Sequence, residues 1–310
     1  MSLLAVGTLG YDDIKTPFGT RKRVLGGSGA HFALSATFFT KVMLVAVIGN
    51  DFKSDDFELL ASRNIDTDGV QELEGKSFHW SGEYGYDLSE AQTLSTDINV
   101  LAKFHPALPE HYEDAKYIFL GNIAPNLQME VLEQVKNPTL ISLDSMDFWI
   151  KNDRQRLIEM IKKIDILLIN EGEARMLTGE PNLTKAAKYL ESLGVKIIVI
   201  KRGEYGALLF SENDIFSAPA YPLEHVFDPT GAGDSFAGGF MGSLARKQAT
   251  ESLNAKDLRQ AIIAGSVMAS FAVEKFGVER VSKLKKQEIL ERFNRFKHLT
   301  HFDPIDTNLS

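Results

Sequence analysis

Asp228-Pro229-Thr230-Gly231-Ala232-Gly233-Asp234-Ser235-Phe236-Ala237-Gly238-Gly239-Phe240 is the stretch of this chain that decides its fold. Pro229 ends any strand before it. Gly231 and Gly233 permit backbone geometry closed to other residues. Small and apolar residues then run to Ala245, a pattern suited to a tightly packed helix. The N-terminus of that helix should fall at Gly231–Asp234, where unpaired N–H groups and the helix dipole make an anion site. Asp234 lies in the first turn, where a carboxylate is electrostatically favoured, so it is expected to stay ionised at neutral pH. An ionised carboxylate beside an anion cradle suits phosphoryl transfer to an alcohol. The base accepts the hydroxyl proton while the amides stabilise charge on the transferred group. A plain glycine turn leading into a helix with an acidic first turn has the same spacing.

Upstream, short apolar runs read as buried strands: Leu3–Val6, Val42–Ile48, Tyr117–Leu120, Leu140–Leu143, Ile166–Ile169 and Ile197–Ile200. Segments of helical length and pattern lie between the later ones, at Met129–Val135, Arg154–Ile164 and Thr184–Leu193. Alternation of this kind predicts βαβ units and a parallel sheet, and unbroken apolar strands predict a sheet covered on both faces. The C-terminal third reads as helices over Ala232–Arg246, Ala255–Glu274 and Lys285–Phe296. Ser77–Tyr84 alternates instead, like an exposed antiparallel strand, as do Thr96–Lys103 and Thr16–Leu25. These segments suggest a small β appendage on one α/β domain spanning 1–310.

The chain has 310 residues, with 34 basic and 42 acidic side chains and a net charge of −8. With 44% hydrophobic and 25% charged residues it is ordinary globular material. The absence of cysteine excludes disulfides, thiolate nucleophiles, iron–sulfur clusters and cysteine-ligated zinc. Met1–Gly7 lacks the basic region and long apolar core of a signal peptide, and Val42–Ile48 is far shorter than a spanning helix, so a soluble cytoplasmic protein is expected. The acidic balance argues against nucleic acid as a partner. There is no GxxxxGK[ST] loop, and no GxGxxG follows the first strand.

Asp-Pro-Thr-Gly-Ala-Gly-Asp-Ser-Phe resembles the C-terminal signature of the PfkB, or ribokinase-like, carbohydrate kinases. The resemblance implies a three-layer α/β/α sandwich with a mostly parallel central sheet and a small β lid, here formed by about 12–25 and 76–104. It implies that Asp234 is the catalytic base and that Gly231, Ala232 and Gly233 form the anion hole. Asp12, in Gly7-Thr8-Leu9-Gly10-Tyr11-Asp12, matches the substrate-binding Asp after the first strand. Gly26-Gly27-Ser28-Gly29-Ala30-His31 resembles the family's Gly-Gly-x-x-Ala-Asn, with His31 at the Asn position. His31 could bond a substrate hydroxyl or pack within its helix. Asp51 of Gly49-Asn50-Asp51 matches a family Gly-x-Asp and is read as structural.

Asn170-Glu171-Gly172-Glu173 resembles the family's Asn-x-x-Glu, linked to magnesium and phosphate. A Glu173 contact to Mg²⁺ through water suits that ion's chemistry. The same four residues also fit a helix capping box. Lys201, Gly203 and Gly206 match a turn lining the ATP site, and Gly277 matches a loop flanking adenine. Asp228 is the side chain best placed for a monovalent cation such as K⁺. Trp80, Tyr84 and Tyr86 are candidates to stack on substrate or to pack in the lid, and the lid implies a homodimer. The expected activity is ATP-dependent phosphorylation of a hydroxyl on a sugar or sugar-like molecule. A nucleoside of adenosine type is the alternative acceptor, and a non-catalytic sugar-binding protein on the same fold is the alternative class.

Overall fold

Each apolar run forms a strand in the computed structural model, which describes residues 2–212, 214–248 and 253–301. The chain opens with β1 (Ser2–Val6), β2 (Gly10–Thr16), β3 (Gly19–Gly26), α1 (Ser28–Ala36), β4 (Lys41–Gly49), α2 (Ser54–Ser62) and β5 (Ile65–Leu73). Next come β6 (Phe78–Tyr84), β7 (Ala91–Asp97), β8 (Tyr117–Leu120), α3 (Pro125–Gln134), β9 (Leu140–Asp144), α4 (Asp147–Asn152) and α5 (Arg154–Ile161). β10 (Ile166–Asn170), α6 (Glu171–Thr178), α7 (Leu183–Ser192) and β11 (Ile197–Lys201) lead to a hairpin of β12 (Ala207–Ser211) and β13 (Asp214–Ala218). The chain closes with α8 (Ala232–Arg246), α9 (Ala255–Ala272), α10 (Glu279–Ser282) and α11 (Lys286–Thr300).

The large sheet runs β13-β12-β11-β10-β9-β8-β1-β4-β5. It is parallel from β11 to β5 and antiparallel only where β12 and β13 extend one edge. Side chains alternate across each strand, so one apolar run feeds two cores. Leu3, Ala5, Val42, Leu44, Ile166 and Leu168 pack with Phe32, Phe236, Phe240 and Phe271 of α1, α8 and α9. Leu4, Val6, Met43, Val45, Leu167 and Ile169 pack on the other face with Leu127, Leu157, Leu177 and Leu190 of α3, α5, α6 and α7. The expected three layers are therefore present. From β1 the chain first builds toward β5, then crosses to β8 on the opposite side. Parallel sheets place ligand crevices outside the carboxyl ends of the strands at such a reversal.

A second sheet runs β3-β2-β6-β7. It contains the alternating segments, with three differences from expectation. β6 is antiparallel to β7 but parallel to β2. The outer strand is Ala91–Asp97, and residues 99–103 form a 3₁₀ turn rather than part of a strand. Thr16–Leu25 is split by a turn between β2 and β3. Among the described residues no helix is long and apolar enough to cross a membrane.

Candidate active site

Glycines let α1 and α8 approach closely, and that approach assembles the site. A Cβ on Gly238 would sit 2.4 Å from the Phe32 carbonyl oxygen of α1, and on the neighbouring face one on Gly239 would sit 2.7 Å from that of Ala264 on α9. Phe32 itself stacks on Phe119 with ring centroids 3.8 Å apart. α1 carries His31 and α8 carries Asp234, so this packing brings both to the carboxyl end of the large sheet.

α8 begins as its sequence predicts. Gly231 is the N-cap in left-handed geometry, with φ 71°, and Asp234 lies in the first turn. The His31 ring lies against this cap. A Cβ on Gly231 would come within 2.3 Å of its Cγ and Nδ1. His31 is thus packed, and burial pushes its pKa down to about 4, which leaves it neutral at pH 7. Its Nε2 has no hydrogen-bond partner among the described residues. The Ala232 N–H is taken up by the Pro229 carbonyl at 3.1 Å. Among the described residues the Gly231 and Gly233 N–H groups have no such backbone acceptor.

The expectation that Asp234 is simply ionised at neutral pH needs correction. Burial, and then the nearby Asp144 carboxylate, push its pKa up to about 7, against the opposing pull of Lys201 and its own N–H. Desolvation outweighs the helix dipole here.

Asp12 is buried on β2, and the Gly27 N–H bonds to it. A Cβ on Gly26 would fall 2.0 Å from its Oδ2, so a glycine is required where the carboxylate sits. Burial, then Asp228 and Asp234, push the pKa of Asp12 up to about 8. Asp12 is paired with Trp80 across β2 and β6, and period-two alternation puts Tyr84 on the same face as Trp80. Tyr84 accepts a 3.1 Å hydrogen bond from the Thr230 hydroxyl, so the small sheet touches the glycine-rich signature directly. Burial, and the negative charges of Asp228, Asp12 and Asp234, push the Tyr84 phenol up. The other aromatics are placed differently. The Trp80 indole folds over Gly82 and donates to Thr93, and Tyr86 is almost fully exposed.

Lys201 ends β11, and its ammonium pairs with Asp144 at 2.5 Å, well shielded from solvent. A Cβ on Gly233 would lie 3.2 Å from Lys201 Nζ, which places this cation against the first turn of α8. Asp144 ends β9 and was not singled out by the sequence. The doubly wound rule, applied to the last residue of each parallel strand, would have found it. Between them, Asn170 caps α6. Its Oδ1 accepts from the Glu173 N–H at 2.8 Å, while the Asn170 N–H donates to Glu173 Oε2 at 2.9 Å. Burial and then Asp144 raise the Glu173 carboxyl. A magnesium role would fall to a buried carboxylate that also caps a helix.

Asp228 is buried, accepting from the Gly277 N–H at 2.8 Å and the Thr230 N–H at 2.9 Å. No Lys or Arg side chain pairs with it among the described residues, and burial raises its pKa. Gly277 is thereby brought to the signature, with φ 55°. Gly206 is fixed by its own backbone, since a Cβ there would meet the Ala218 carbonyl oxygen at 2.0 Å, whereas Gly203 faces open space. Asp51 is structural, as expected. It accepts from Ser77 N–H and Oγ at 2.7 and 2.8 Å and pairs with Arg23 at 3.0 Å, tying the small sheet to the body.

A buried carboxylate at a glycine-capped helix end, with a lysine and further acids around it, suits a phosphotransferase that acts on a hydroxyl group. The chain belongs to the pfkB family of carbohydrate kinases, whose model matches residues 6–284. It is 34% identical over 261 residues to a cytidine kinase of Thermococcus kodakarensis, covering 81% of this chain and 91% of that protein. Its fold matches a Burkholderia thailandensis nucleoside kinase in complex with inosine, with TM-score 0.78, 19% identity, and 95% and 97% of the two chains covered. It also matches a candidate ribokinase II of E. coli in complex with ATP and Mg²⁺, with TM-score 0.76, 21% identity, and 95% and 99% covered.

Proposed function

We propose that this chain transfers the γ-phosphoryl group of ATP to a ribosyl hydroxyl of a nucleoside, with a pyrimidine nucleoside as the preferred acceptor. The observation that carries the transfer is the meeting of Asp12, Asp234 and the Gly231–Gly233 amides at one helix end. The likeness to a cytidine kinase over nearly all of that protein supports a nucleoside rather than a free sugar. In this reading Asp12 and the Gly26–Gly27 backbone hold sugar hydroxyls. Asp234 takes the proton of the reacting hydroxyl. The N–H groups of Gly231 and Gly233 receive charge on the transferred group, while the neutral His31 supports Gly231 from beneath. Gly203, Gly206 and Gly277 line the ATP site.

Mg²⁺, when bound, neutralises phosphate charge, and Asn170 and Glu173 would hold it through water. A K⁺ ion beside Asp228 would balance that buried carboxylate. The small sheet acts as a lid that excludes water from the transfer. Its outer strand β7 exposes Leu94 and a free edge, which suits pairing with a second subunit. A cytoplasmic setting would supply the nucleotide.

ADP release measured against cytidine, uridine, adenosine, inosine, ribose and fructose tests the acceptor. A nucleoside should give a higher kcat/KM than either free sugar. A sugar that outperforms every nucleoside would return the acceptor to the sugar class. Tight ligand binding with no turnover on any acceptor would favour a non-catalytic protein.

A further inference from the structure

β9, β10 and β11 are neighbouring parallel strands, Asp144 and Lys201 are the last residues of the two outer ones, and β9 stops two residues short of β11. Lys201 reaches across the end of β10 to Asp144, and the side chains of the pair are only 14% and 5% exposed. The Asp144 carboxylate is itself fixed, since its Oδ1 accepts from the Ser145 N–H at 2.9 Å while Oδ2 takes the ammonium. Gln128 donates to the Asp144 carbonyl at 3.3 Å and to that of Gly121 at 2.8 Å, which anchors the strand end. The net stability from so buried a pair is small, because desolvation offsets the attraction.

The charge balance of the site gives the pair another use. Asp12, Asp144, Glu173, Asp228 and Asp234 converge here, and among the described residues Lys201 is the one Lys or Arg side chain paired with any of them. A polyphosphate entering this end of the sheet needs positive charge, and Lys201 stands against the first turn of α8, where the phosphoryl group would pass. An ammonium on a flexible four-carbon stem needs a partner to hold it there.

We infer that Asp144 is a positioning residue for phosphoryl transfer: it holds the Lys201 ammonium beside Gly233 so that this ammonium meets the group being transferred. This rests on the kinase reading above and adds a residue that the glycine-rich signature does not contain. The arrangement acts on the transition state, where charge on the moving group is greatest, and not on acceptor binding.

Steady-state kinetics on wild type, Asp144→Asn, Lys201→Met, Lys201→Arg and the Asp144→Asn/Lys201→Met double variant test it, with thermal unfolding as the check on folding. Loss of a fixed charge contact of this kind lowers kcat about 10²- to 10³-fold. Both Asp144→Asn and Lys201→Met should show that loss, with the acceptor KM within about twofold of wild type. The double variant should be no slower than Lys201→Met, because Asp144 acts only through Lys201. Lys201→Arg should recover part of the rate. If Asp144→Asn does not fold, Asp144→Glu, which keeps the charge but displaces it, should lose kcat in the same way. Multiplying losses in the double variant, or wild-type kcat in Asp144→Asn, overturns the inference while leaving the kinase reading intact. A folded wild type that turns over no acceptor overturns both.

Discussion

The Thr230 hydroxyl donates to the Tyr84 hydroxyl at 3.1 Å, which joins the small sheet to the glycine-rich signature across 146 residues of chain. This bond holds β6 of the small sheet against the turn that leads into α8. Tyr84→Phe removes the accepting oxygen and leaves the ring. A net hydrogen bond is worth about 1 kcal/mol, or roughly fivefold in a rate or equilibrium. The kcat/KM for the acceptor should fall by about that factor with unchanged thermal stability, as measured by initial rates and calorimetry. An unchanged kcat/KM would show that the contact is incidental.

The raised acids set the pH dependence. Asp234, pushed up to about 7, must be deprotonated to accept a proton, and Asp12, pushed up to about 8, ionises nearby. Protonation is therefore lost as pH rises through this range, and activity should be gained over it. The kcat/KM profile, which reports the free enzyme, should climb between about pH 6 and pH 8. An acid limb near pH 4, the ordinary carboxylate range, would contradict the electrostatics of the site.

The same shift makes Asp12 costly to stability. Its unfolded carboxyl ionises near 4 while the folded one holds its proton to about 8, so stability is lost progressively as pH rises between those values. Asp12→Asn keeps an acceptor for the Gly27 N–H and removes the charge. The variant should melt several degrees higher than wild type at pH 8, with the difference shrinking toward pH 4, and it should bind acceptor poorly. Thermal unfolding across pH measures this. A variant less stable than wild type at pH 8 would refute the assignment.

Much of this was legible from sequence because two strong patterns carry it. Unbroken apolar strands such as Val42–Ile48 require cover on both faces. The Gly231–Asp234 run requires a glycine cap on a tightly packed helix, and both features appear. Strands β13 and β5 are not legible because they are the two edges of the large sheet and show weaker apolar runs, as in Asp214–Ala218. Asp144 escaped because a lone acid after an apolar run has no local signature. Only the pairing of β9, β10 and β11 brings it to Lys201. The raised carboxyl of Asp234 is hidden for a related reason: the helix dipole can be read from sequence, whereas burial and a carboxylate 90 residues away cannot.

The α1–α8 approach allows a packing test. Gly238→Ala puts a methyl group 2.4 Å from the Phe32 carbonyl oxygen, a backbone atom that cannot turn aside. Overpacking of this kind costs about 1–3 kcal/mol. Urea unfolding should show that loss. kcat should fall as well, since moving α1 from α8 carries His31 away from the Gly231 cap. Wild-type stability would mean that the two helices have room that the glycine spacing denies.

Asp234→Asn measured with the best acceptor, against binding of a fluorescent ATP analogue, is the most direct test of the site. A general base contributes about 10²–10⁴-fold, so kcat should fall by that factor while nucleotide affinity stays near wild type. A kcat within a few-fold of wild type would show that another group takes the hydroxyl proton.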